Sequence, residues 1–322
     1  MAVRYPCVLV LPMLLACLGS GAGAADTPDP DQVRSQIDVL IAKRLNHNLP
    51  ANLGLLHETC TLSISYGAPA YNNGDHVACM AFYHATIASL LKAFSGVQGT
   101  SPLAAPDLKE LGAAAGRSRI EVDVERQAWS LRFGFDQVDL SYRLAEATAQ
   151  AQVQCGAQYF SRGDYAEAEV AFGRGAEYSN EIEGESTADS PLNARIAPLL
   201  HAQTLLMIGR AADAAQEMSK AILLVPELLS ASFDLHSLSI DQAIIDTAVA
   251  TAQAAATAHP ADADALFLLA VEQRFTGHAD QAATTLAGVL TLAPHHPGAC
   301  LMNAPSSKDA GFKSKSDNGV VP

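Results

Sequence analysis

Prolines stand at 226, 260 and 294, thirty-four residues apart each time. Seventeen residues before each lies Gly209, Ala243 or Gly277, and five before each lies Ala221, Ala255 or Val289. A fixed period of this length predicts stacked two-helix units, because one helical hairpin cannot bury its apolar face alone. The prolines close the second helix of each unit, since their ring removes an N–H and clashes with the preceding turn. Such an architecture points to binding rather than to chemistry.

The register extends in both directions. Leu205–Gly209 followed by Ala214, Met218 and Ala221 runs into Pro226. Leu235–Ala243 followed by Ala248, Ala252 and Ala255 runs into Pro260, without a turn glycine. Leu269-Ala270, Gly277-His278, Ala282 and Leu286 run into Pro294. Upstream, Cys155-Gly156, Tyr159, Gly163-Asp164-Tyr165, Ala168 and Phe172 form one more unit. There Gly156 and Ala168 allow close helix approach, and Gly163 makes the turn. Gly163 to Gly209 is twelve residues longer than one period. The excess, Glu181–Ala194, is rich in Glu, Ser, Thr and Gly and reads as a solvated loop.

This pattern, from about Gln150 to Pro294, resembles the tetratricopeptide repeat. The resemblance implies an all-α, right-handed α-solenoid of helical hairpins that binds a peptide or protein in a concave groove. Carried over position by position, the groove is lined by Phe160, Leu206, Phe233, Phe267, Arg274 and Phe275, mostly apolar side chains. The basic set with which some family members grip a C-terminal carboxylate is not reproduced, since only Arg274 is basic. Such a groove either takes an apolar or helical segment or is filled by the chain's own N-terminal helices. The wording around Phe233–Leu238 and Phe267–Leu269 is also similar to bacterial repeat proteins without assigned chemistry.

Before the array lies an irregular helical region, 26–148. Helices are expected at Asp31–Asn46, in a hairpin over Thr59–Ala93, at Asp107–Ala115 and over Glu121–Gln150, which carries the single tryptophan, Trp129. The segment Gly67-Ala-Pro-Ala-Tyr-Asn-Asn-Gly74-Asp75, with Gly74 as the turn glycine, resembles a bacterial helical module of unknown role. It lies out of phase with the array at 149–303. The tail, 304–322, has a disordered composition.

Residues 1–25 read as a signal peptide: Arg4, the apolar run Cys7–Leu18, then Ala22-Gly23-Ala24 as a small-x-small cleavage site. Leu14-Leu15-Ala16-Cys17 resembles a lipobox, which would make Cys17 a lipidated N-terminus. Either processing route predicts an extracytoplasmic, periplasmic protein, with membrane attachment only through that lipid. The net charge of −14 repels phosphate backbones and argues against a nucleic-acid partner.

Few residues suggest chemistry. His57 and Cys60 share a helix face but make half a metal site, and a solvated helix start fits them better. His295-His296 reads as a polar loop, and Asp75 and Asp164 as helix caps. Cys60, Cys79, Cys155 and Cys300 carry no disulfide-scaffold spacing. Catalytic and phosphate-binding motifs are missing from the sequence, so no catalytic, cofactor or metal residue is assigned. The leading expectation is an exported protein–protein interaction scaffold, not an enzyme, that binds an envelope protein or peptide. The alternative is an enzyme or metal-binding protein with a site around Tyr71–Tyr83.

Overall fold

The computed structural model describes residues 28–94, 99–183, 195–229, 235 and 241–303. The leader with Cys17, the groove residue Phe233, most of the Glu181–Ala194 loop and the 304–322 tail lie outside the described residues. Among the described residues the chain is all-α, with twelve α-helices and no strand.

Each helix follows from local signals. α1 (Pro30–Asn46) opens where the Asp29 carboxylate accepts the Asp31 N–H at 3.0 Å, with Pro30 at the first helical position. It buries Val33, Ile37, Leu40 and Ile41, one stripe at helical spacing. α2 (Leu53–Asn72) and α3 (His76–Phe94) form the expected hairpin, and α4 (Ala105–Ile120) follows. α3 has the length and apolarity of a membrane span, yet it packs against α1, α2, α4 and α5.

α5 runs unbroken from Val124 to Ser161, 38 residues. The 148/149 position expected to separate two regions therefore falls inside one helix. The N-terminal half of α5 packs on α2, α3 and α4, and its C-terminal half on α6 (Tyr165–Glu181). Gly156 permits this second contact: a Cβ there would stand 2.7 Å from the Phe172 ring.

α7 (Ala197–Met207) and α8 (Ala211–Leu224) make the next hairpin, α10 (Ala263–Phe275) and α11 (Ala279–Leu292) the last. Between them stands α9 (Gln242–Ala258), and α12 (Pro297–Asn303) ends the described chain. The four glycine turns share one geometry. Gly74, Gly163, Gly209 and Gly277 have φ of 86, 80, 77 and 81°. The residue after each returns its N–H to a carbonyl five positions back: Asp75 to Ala70, Asp164 to Tyr159, Arg210 to Leu205, His278 to Gln273. This bond satisfies a carbonyl at the end of the first helix and requires the left-handed residue that glycine supplies. Pro226, Pro260 and Pro294 each stand two residues beyond the last residue of α8, α9 and α11.

The third unit differs from its expected form. Ala243 is not a turn residue. It lies in the first turn of α9, where its N–H is accepted by the Asp241 carboxylate at 2.9 Å. Of the preceding first-helix positions only Leu235 is described, and it is buried.

Helices α7 to α12 share one apolar core. α8 touches α10 and also α12, so helices from non-adjacent units meet.

Candidate functional site

The expected groove residues are placed as follows. Leu206, Phe267 and Phe275 are 1%, 0% and 1% exposed, so they are core side chains and present no surface to a partner. Phe160 is half-buried, edge-on to Tyr165 at 5.2 Å. Arg274 donates through Nη2 to the Leu229 carbonyl. Among the described residues, what covers Phe267 is His296 and α12, not the N-terminal helices. Gly298 of α12 lies so close to its ring that a Cβ would stand 2.5 Å away, and the His296 ring packs on it at 4.5 Å.

His296 is therefore no solvated loop residue. Its Nδ1 accepts the Ala299 N–H at 3.1 Å, which leaves the proton on Nε2 to donate to the Asp264 carboxylate at 3.1 Å. His295 is exposed as expected. The 57–60 pair also departs from a solvated helix start. Cys60 is buried, which raises its thiol pKa and keeps it protonated, and His57 stacks on Tyr142 at 4.0 Å and meets Asp139 at 3.2 Å. Asp75 caps α3 through the Ala78 N–H, whereas Asp164 makes no side-chain cap. The four described cysteines are free. No group of three metal-ligating side chains occurs among the described residues.

Two surface features emerge instead, both on α5. The first is an exposed apolar stripe. Trp129, Phe133, Leu140 and Leu144 are 47%, 60%, 59% and 67% exposed. Their spacing of four, seven and four puts all of them on one helix face. The opposite face buries Ala128, Leu131, Phe135 and Val138 against α2, α3 and α4. Along one edge run Arg132 paired with Asp136 and Arg143 paired with Asp139, both at 2.8 Å, so the charges there cancel.

The second feature is a cleft of about 220 Å³ where the α2–α3 hairpin meets α5. Gly67 precedes the lining residue Ala68 on α2. A Cβ at Gly67 would lie 2.1 Å from the Tyr83 ring, so glycine lets that ring press against α2. Tyr83 is held edge-on by Phe135 at 4.9 Å. Its hydroxyl meets the Cys79 thiol and the Arg132 guanidinium, and burial raises its pKa, so the phenol stays protonated. Burial likewise raises the Cys79 thiol, against the opposing hydrogen bond to Tyr83. Burial works against the Arg132 charge, but the Asp136 carboxylate outweighs it and holds the guanidinium above its ordinary range.

Trp129 and Tyr71 also line the cleft. The indole N–H donates to the Tyr71 hydroxyl at 2.9 Å, and the two rings meet edge-on at 5.8 Å. Tyr71 is backed by the His76 ring at 4.3 Å, which in turn pairs with Glu125 at 3.2 Å. Small side chains, Ala68 and Ala128, keep the space between the walls open.

Sequence reasoning singled out Tyr71 to Tyr83 but missed Trp129 and Arg132. The signal was present as large apolar residues on both faces of α5, one face more than a surface helix needs. No known protein family matches this chain, and no curated protein does.

Proposed function

We propose that the chain is an exported helical interaction protein that engages a protein partner through the exposed stripe of α5. The observation that carries this reading is the set Trp129, Phe133, Leu140 and Leu144, four large apolar side chains open to water on one face. Single exposed apolar residues are ordinary, but four on one face of a single helix, with Trp129 and Phe133 in ring contact at 6.0 Å, favour an interaction surface. From Trp129 to Leu144 the stripe runs about 22 Å along the helix axis, the span of a partner helix of about four turns. Because its charged edge is neutral, apolar fit rather than charge selects the partner.

We read the described hairpins as tetratricopeptide-type units, supported by the recurring glycine turns and the proline spacing. The partner surface we assign differs from the concave face of that family. Of the side chains expected there, Leu206, Phe267 and Phe275 lie in the core, while the α5 stripe is open. Export follows from the leader-like residues 1–25.

The test is site-specific photo-crosslinking in the native host, with the crosslinker at position 133 and a control at exposed Leu292. A discrete adduct at 133 that disappears with Leu140→Glu supports the reading. Equal adduct patterns at both positions, or none at 133, would overturn it.

A further inference from the structure

We propose that the cleft between α2, α3 and α5 is a binding site for a small aromatic carboxylate. The chemistry of its walls sets the class. Trp129 and Tyr71 present two rings at 73° to one another, an aromatic corner against which a third ring can pack by face and edge. A cavity of 150 Å³ lined by apolar side chains holds one benzene ring. The 220 Å³ here therefore admits a ring with a short polar arm.

The charge of that arm follows from Arg132. Its side chain is a third exposed and lines the cleft. Of the five N–H donors a guanidinium carries, Nε is given to Asp136 and another to Tyr83 among the described residues. Those two contacts fix the plane of the fork and leave donors for a carboxylate, the anion whose geometry the fork matches. Asp136 also lines the cleft, but its carboxylate is already held by Nε at 2.8 Å, so an entering arm meets the unspent guanidinium donors, which a carboxylate can accept and an ammonium cannot.

The chain carries its own reporter. Trp129 is the only tryptophan in the sequence, so tryptophan fluorescence of the full chain reads the cleft and the adjoining end of the stripe, and the Arg132 and Ala68 variants distinguish the two. Titration with phenylacetate, 2-phenylethanol and phenethylamine holds the ring constant and varies the charge. Phenylacetate should give a saturable change in emission at least tenfold tighter than the alcohol or the amine. Arg132→Gln should abolish that preference while the alcohol binds as before. No saturation with any of the three, or an amine that binds as tightly as the carboxylate, would overturn the proposal. Should Arg132→Gln fail to fold, Ala68→Leu fills the cleft from α2 without touching the ion pair. Phenylacetate binding that survives Ala68→Leu places the ligand elsewhere and equally overturns the proposal. Neither variant alters Phe133, Leu140 or Leu144, so the outcome is separable from the partner-binding reading of the stripe.

Discussion

Gln203 of α7 donates its side-chain N–H to the Glu272 carboxyl of α10 at 2.6 Å, across 69 residues of sequence. Both side chains are buried, and the second Glu272 oxygen has no partner among the described residues. The bond joins the first helix of one hairpin to the first helix of the last. A buried carboxyl with one donor is costly when ionised.

That cost makes stability depend on pH. Burial pushes the Glu272 carboxyl up from 4.5 to about 7, and the Gln203 hydrogen bond only partly opposes it. The folded chain therefore holds this proton more tightly than the unfolded chain. Its contribution is complete below pH 4.5 and is lost as pH rises through about 7. The difference is on the order of 3 kcal/mol. Glu272→Gln should flatten this slope and stabilise the protein at pH 8, as read by urea unfolding at pH 5 and pH 8. An unchanged slope would show that Glu272 does not titrate in this range.

Two glycines should fail for different reasons. Gly277 has φ of 81° with open space around it, so Gly277→Ala pays only for the left-handed backbone, about 1 kcal/mol. Gly67 sits against the Tyr83 ring, so Gly67→Ala overpacks that contact and should cost about 1–3 kcal/mol. Only the second should also shift the Trp129 emission, which a fluorescence spectrum of the folded variants checks directly.

The two faces of α5 should respond oppositely to substitution. Phe135 is fully buried, and Phe135→Ala should destabilise by about 3–5 kcal/mol. Phe133→Glu, two residues away on the open face, should change stability by less than about 0.5 kcal/mol. Thermal unfolding of the two variants separates them, and a large loss from Phe133→Glu would mean that the stripe is part of the core.

His296 fastens the last helix. His296→Ala removes the Asp264 contact, the acceptor for the Ala299 N–H and the cover over Phe267. A loss of about 1–3 kcal/mol is expected, accompanied by faster amide exchange across α12. Exchange that leaves α12 unchanged would remove His296 from this role.

Local chemistry was legible in the chain. Gly209 and Gly277 declared their turns because a left-handed residue is nearly a glycine monopoly. Pro226, Pro260 and Pro294 declared helix ends because proline cannot continue the ladder. His296 was misread for the opposite reason. A histidine after a proline reads as polar loop until a buried ring lies next to it, and Phe267 is 29 positions away. The stripe on α5 was overlooked because periodicity marks apolar faces without saying which one is covered.

The sequence by itself determined the glycine turns at Gly163, Gly209 and Gly277 and the helix ends before Pro226, Pro260 and Pro294, since those choices rest on backbone conformations within a few residues. Only the tertiary structure decided that α8 would meet both α10 and α12, which places Leu206, Phe267 and Phe275 in a core rather than along a groove. The same packing left Trp129, Phe133, Leu140 and Leu144 in water. The physical reason is that burial is a property of whichever surfaces come together, and no residue carries that information alone.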